Sequence, residues 1–109
     1  MTDQKPVIYI AGPMTGLPEF NRPAFMFMSA RLEARGYVAL NPATLPDGLS
    51  QHQYMDICLA MLRCAGSIYM LRGWQDSPGA KVEYALAVKL GLRVIFEETE
   101  YVLCKINTL

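Results

Sequence analysis

The order of apolar and polar positions divides the chain into alternating short runs and longer periodic segments. Val7-Ile8-Tyr9-Ile10-Ala11 is unbroken apolar sequence rich in β-branched and aromatic residues, as a central strand buried on both faces requires. From Pro23 to about Arg35 the period changes. Phe25, Met28 and Leu32 form one stripe with Arg31 and Glu33 off it, so a helix is predicted, stopped by Gly36. Tyr37 to Leu40 reads as a second strand, ended by Asn41-Pro42 because proline cannot continue a ladder. Ser50 with Gln53 three residues on makes a capping box, and Leu49 and Tyr54 stand where a hydrophobic staple would close. A second helix therefore begins at Gln51, with Tyr54, Ile57, Cys58, Met61, Leu62 and Ala65 on its inner stripe. Ser67 to Leu71 is a third strand. A third helix runs from Pro78 to about Leu90, its phase set by Val82, Ala85, Leu86 and Val88 or Lys89 and its end by Gly91. Arg93 to Phe96 is a fourth strand. Glu97, Glu98 and Glu100 then close the sheet edge, and Tyr101-Val102-Leu103 offer a possible fifth strand.

Strands alternating with helices at this spacing predict an α/β protein, a flavodoxin/Rossmann-like three-layer fold. The parallel sheet has four or five strands in the order 2-1-3-4, with any fifth strand last and right-handed crossovers. At 109 residues the whole chain, 1–109, is a single domain. Composition narrows the function classes. With 52% hydrophobic and 18% charged residues the chain has the makeup of a packed globular protein. Ten basic and ten acidic residues give no net field to attract a nucleic-acid polymer. No apolar run reaches membrane-spanning length and the first six residues are polar, so neither a membrane nor a signal peptide is indicated, and a cytoplasmic location is expected. Cys58, Cys64 and Cys104 have no CxxC spacing and are expected to be reduced, buried thiols. His52 is the one histidine and is expected in solvent, so no metal site is expected.

Two loops carry the candidate chemistry. The first strand runs into GPMTGLPEFNRP, where closely spaced glycines and prolines impose special backbone geometry. There, backbone amides and the Thr15 hydroxyl could meet an anionic or sugar group, although neither the Walker pattern nor GxGxxG is present. The second loop, LRGWQDSPGAKVE from Leu71 to Glu83, follows the third strand and opens a helix. Ser77 suits its N-cap and Pro78 its first turn. In an open α/β sheet this carboxyl end of a strand is where ligands bind, and Glu83 is the candidate nucleophile there. Asp56, on the second helix, reads equally well as a solvated residue that favours the helix's positive end.

The combination of YIAGPMTG after the first strand, FNRPAF opening the first helix, NP after the second strand and GWQDSPGAKVEYALAVKLGLRVI resembles the nucleoside 2-deoxyribosyltransferase-like superfamily. The resemblance covers residues 7 to about 96 and is closest to an uncharacterised domain-of-unknown-function branch often found in phages and prophages. It implies transfer of deoxyribose between bases, or hydrolysis of the N-glycosidic bond of a deoxynucleoside monophosphate, without metal or cofactor. It places Glu83 as the nucleophile that attacks C1′ of the sugar. Ser77 matches a residue that helps hold a 5′-phosphate in monophosphate hydrolases, and Gly12, Pro13, Met14, Thr15 and Gly16 match a phosphate-facing loop. Tyr9 falls near a substrate-contacting tyrosine and Asp76 near a sugar-binding carboxylate. Trp74 and Gly79, in the same turn, join the substrate-binding candidates.

The sequence departs from the family at one chemically important place. Relatives carry the aspartate that serves the base about eight residues before the approach to the third strand, and the same count here lands on Cys58, with Asp56 two residues away. Two helical residues are about 200° apart, so the two side chains cannot share a place on a regular helix. Either Asp56 or Asp76 takes the acid role, or the protein is a non-catalytic nucleotide-binding or regulatory module. The resemblance also implies a homodimer or higher homo-oligomer, because relatives complete each site with a neighbour's residue. Asn107 in the tail is a candidate for that part.

Overall fold

The computed structural model describes residues 4–107, apart from the side chains of residues 104, 106 and 107. Its sheet contains β1 (Val7–Ala11), β2 (Val38–Leu40), β3 (Ser67–Met70) and β4 (Arg93–Phe96), in the order β2-β1-β3-β4 and all parallel. Four helices connect and follow them: α1 (Arg22–Ala34), α2 (Gln51–Arg63), α3 (Pro78–Leu90) and α4 (Glu97–Asn107). The predicted α/β fold and strand order are those observed. A kinked turn at Pro18–Asn21, with non-helical Glu19 and Phe20, and single-turn 3₁₀ segments at Pro42–Thr44 and Trp74–Asp76 sit in the loops after β1, β2 and β3. These loops share the carboxyl edge of the sheet.

Period-two alternation along the strands separates two apolar layers. Ile8 and Ile10 of β1 and Tyr69 of β3 face α1, meeting Phe25, Met28 and Leu32. Tyr9 and Ala11 of β1 and Ile68 and Met70 of β3 face the other way, against Cys58 and Leu62 of α2 and Ala87 of α3. The stripe predicted for α1 is the buried one, and the capping box at Ser50 and Gln53 starts α2 as expected. Gly12 lets β1 run close to Leu71 at the sheet's upper edge, since a Cβ there would stand 2.8 Å from the Leu71 Cβ.

Several expectations are corrected. Tyr101-Val102-Leu103 do not form a fifth strand; they lie in α4. Glu97, Glu98 and Glu100 occupy its first turn, where carboxylates oppose the positive helix end. Glu100 ties that turn to Tyr69 and Arg35, which fixes the helix against the α1 face. The phase of α3 also differs. Ala80, Glu83 and Ala87 are its buried residues, whereas Val82 and Val88 are 51% and 53% exposed. Alanines let α3 lie close to the sheet, so the larger apolar residues do not mark its inner face. On α2, Ile57 is exposed while Cys58 and Leu62 are buried. Cys64, expected to be buried, is exposed at the end of α2, and the Cys104 side chain lies outside the described residues. Among the described residues no helix is long and apolar enough to cross a membrane.

Candidate active site

Glu83 reaches the upper edge of the sheet because of how α3 starts and which face it buries. Ser77 is the N-cap, its Oγ accepting from the Ala80 amide at 3.1 Å, with Pro78 at the first helical position. Residues three and four apart share a helix face, so Ala80, Glu83 and Ala87 form one inward line. Flanked by alanines, the glutamate comes within hydrogen-bond reach of β1. The Tyr9 hydroxyl donates to Glu83 Oε2 at 2.6 Å, and both residues are buried.

The electrostatics follow from that burial. Glu83 is 6% exposed, and desolvation pushes its carboxyl up to about 7, with the Tyr9 hydrogen bond pulling the other way. Burial, helped by the nearby Glu83, holds the Tyr9 phenol well above its ordinary value, so it remains a donor. The Cys58 thiol faces the same pair from α2 and is pushed up chiefly by burial, which keeps it a neutral thiol. Near neutral pH the group is therefore a carboxyl raised by burial towards neutrality, held by a neutral phenol and flanked by a neutral thiol.

These three side chains line a cleft of about 670 Å³, a size that suits a small organic ligand. The loop after β1 contributes Gly12, Pro13, Met14 and Thr15. Phe20, Arg22 and Phe25 come from the approach to α1 and its start. The loop after β2 supplies Pro42, Leu45 and Asp47 to Leu49, followed by Gln51 and Tyr54 of α2. Asp76 to Ala80 and Glu83 complete it from the approach to α3 and its first turns. Since Oε2 of Glu83 is committed to Tyr9, Oε1 is the oxygen without a described hydrogen bond.

Most residues singled out in the sequence meet here: Tyr9, Gly12, Pro13, Met14, Thr15, Asp76, Ser77, Gly79 and Glu83. Three do not. Asp56 points away, with a side chain 68% exposed and paired to His52 at 3.4 Å one helical turn back. It lines a separate shallow hollow beside Leu40 and Met61, on a different side of α2 from Cys58. Trp74 packs tilted against Tyr84 and Phe96, with ring centroids 4.8 and 6.0 Å away, and is part of the apolar layer under α2 and α3, outside the cleft lining. Gly16 is exposed, at φ +84°, outside the cleft lining.

Sequence reasoning missed the outer wall. Arg22 forms an ion pair with Asp47, joining the start of α1 to the loop that leads into α2, and its guanidinium lies 5.4 Å from the centre of the Phe20 ring. Glu19, Phe20 and Asn21 all have left-handed backbone conformations, and Asn21 Nδ2 donates to Pro13 O at 2.9 Å. The stretch GPMTGLPEFNRP was readable as a loop of special backbone geometry, but three of its left-handed residues are Glu19, Phe20 and Asn21, none of them glycine. Tyr9 was visible as a cleft residue, but its bond to Glu83 joins positions 74 apart in the chain. Among the described residues no cluster of His, Cys, Asp and Glu could hold a metal ion.

With this geometry established, comparison with known proteins assigns the chain. Residues 6–96 match the family described as "Domain of unknown function (DUF4406)". The chain belongs to this family. No curated protein matches it. Among solved structures it is similar to a 2-desoxiribosyltransferase from Leishmania mexicana, with a TM-score of 0.68 and 21% sequence identity over 84% of this chain and 63% of that one. At that identity the similarity establishes a shared fold. This member of the DUF4406 family therefore spans under two thirds of the length of the transferase whose architecture it shares.

Proposed function

We propose that this protein breaks the N-glycosidic bond of a nucleoside or deoxynucleotide, as a hydrolase or a 2-deoxyribosyltransferase, with Glu83 as nucleophile. The observation that carries the reading is the buried carboxyl of Glu83, at about 7, held by Tyr9 against a cleft of ligand size. Glu83 Oε1 attacks C1′ of the sugar as the bond from C1′ to the base nitrogen breaks, and the base leaves with that electron pair. The product is an ester between the sugar and Glu83. Water or a second base then attacks C1′ and returns the carboxylate. Tyr9, bonded to Oε2, fixes the carboxyl plane and limits the energetic cost of its charge.

The departing base also needs a proton. Asp76 lines the cleft and, unlike Asp47, is in no described ion pair, so it is the carboxyl of the cleft wall assigned this task, whereas Asp56 lies outside that wall. A second reading rests on Cys58. Where relatives are expected to carry an acid, this chain has a thiol whose burial makes it a weak proton donor. That favours a nucleotide-binding or regulatory module that keeps the cleft. A homo-oligomer is part of the proposal, supported by exposed Met26 and Phe27 on α1 and Val82 and Val88 on α3.

Both readings meet in one experiment. Deoxynucleosides and their 5′-monophosphates are incubated with wild type and Glu83→Ala, and free base is measured by chromatography. The enzyme reading expects release that falls by about 10³-fold or more in the variant. Equal release from both proteins would remove Glu83 from the chemistry. Tight ligand binding without release would establish the module.

A further inference from the structure

Asn41 is the polar hub of the turn that follows β2, and it is only 6% exposed. Its backbone carbonyl accepts from the Thr44 hydroxyl at 2.8 Å and from the Thr44 amide at 3.2 Å. Its side-chain Oδ1 accepts from the Ala43 amide at 2.9 Å. That bond decides which end of the side-chain amide is the oxygen, so the other end, Nδ2, is a donor. Its one described acceptor is Met26 Sδ of α1, at 3.2 Å. A thioether accepts weakly, so a largely buried donor has a poor partner. The bond also joins two walls of the cleft. Pro42 and Leu45 come from the turn that Asn41 caps, and Arg22 and Phe25 from the part of α1 that carries Met26.

Met26 is accessible as well as bonded. It is 50% exposed, whereas Met28 and Met70 are buried and Met14, Met55 and Met61 are half-buried. We propose that Met26 is a site of reversible sulfoxidation, and that its sulfoxide, bonded to Asn41, clamps α1 to the turn after β2. A hydroperoxide transfers its outer oxygen to a lone pair of the sulfur. The S–O bond forms as the O–O bond breaks; the thioether loses two electrons and the hydroperoxide leaves as water or an alcohol. The new oxygen is a stronger acceptor than the sulfur it sits on, and three rotatable bonds let the half-exposed side chain withdraw to make room for it. Methionine oxidation ordinarily disrupts by putting a polar group into an apolar site. At Met26 the polar group meets a waiting donor at the surface, so the sign reverses. The modification is independent of the reaction assigned to Glu83.

The test treats the protein with hydrogen peroxide and then with dithiothreitol, which reverses disulfides and sulfenic acids at the exposed Cys64 but leaves a sulfoxide in place. Peptide mass spectrometry locates the added oxygen, and thermal denaturation reads its effect. Met26 is expected to oxidise before any other described methionine, and about tenfold or more faster than Met28 and Met70. The oxidised protein should melt about 2 °C or more above the untreated one, and methionine sulfoxide reductase should return it to the starting value. Met26→Gln, whose amide oxygen can accept the same Asn41 proton, is expected to melt above Met26→Leu, which has no acceptor and should gain nothing from peroxide. A Met26 that stays reduced while other methionines oxidise, as a second copy docked over α1 would produce, overturns the proposal. So does a sulfoxide form that melts at or below the untreated protein, or Met26→Gln melting no higher than Met26→Leu.

Discussion

Neighbouring strands each aim a tyrosine at a glutamate, on opposite faces of the sheet. Tyr9 of β1 donates to Glu83 at 2.6 Å; Tyr69 of β3 donates to Glu100 at 2.7 Å. The bonds are alike, but the carboxyls move in opposite directions. Glu83 is raised to about 7, whereas Glu100 is lowered because its hydrogen bonds from Arg35 and Tyr69 outweigh its modest burial. A phenol alone does not keep a buried carboxylate ionised. The guanidinium at Glu100 makes that pair an anchor for α4, and the lack of a described cation at Glu83 leaves a carboxyl that can change charge near neutrality.

The strongest way to break the comparison is to neutralise each glutamate and measure stability against pH. Glu83 has a folded value above its unfolded one, so its contribution is full below about pH 4.5 and is lost as pH rises through about 7. Glu83→Gln is therefore expected to stabilise the protein at pH 8 by about 3 kcal/mol, and hardly at all at pH 4. Glu100, lowered on folding, contributes above its unfolded value and loses that contribution as pH falls through the folded one. Glu100→Gln should destabilise at pH 8 by about 1 kcal/mol. Urea melts at both pH values check the signs. If the two substitutions act in the same direction at pH 8, the contrast fails.

Removing the phenols gives a smaller and sharper test. Tyr9→Phe takes away the one bond that lowers Glu83, so any base-release activity should begin its rise with pH about one unit higher. Tyr69→Phe should cost about 1 kcal/mol of stability and leave that pH profile in place. Smallest of all is Asp56→Asn. Its side chain stands in solvent with His52, outside the cleft wall, so base release should change by less than about twofold. A larger loss would return Asp56 to the reaction.

Much of this architecture was legible because local signals and burial agreed. Ser50 and Gln53 located the start of α2, and the Phe25, Met28 and Leu32 stripe gave the inner face of α1. Ser77, Pro78 and Glu83 were readable as a helix entrance carrying a carboxylate, and the structure puts all three on one cleft. Where reading failed, a tertiary contact overrode the local pattern. Val82 and Val88 suggested the wrong face of α3, because close packing through Ala80 and Ala87 favours small side chains. Tyr101 to Leu103 resembled a strand, while Glu100's bonds to two other elements hold that segment as a helix. The pairing of Arg22 with Asp47 spans a loop, a helix and a strand, so no window of sequence contains its cause.

The turn at Glu19, Phe20 and Asn21 reverses an ordinary rule of mutational tolerance. Left-handed backbone costs a residue with a side chain roughly 1 to 2 kcal/mol, and here three stand in succession. Glycine, which loosens most positions it enters, would relax these three. A more robust form of the molecule is thus to be sought by simplifying its rim rather than by filling its interior, at the expense of the aromatic ring that Phe20 holds over the entrance.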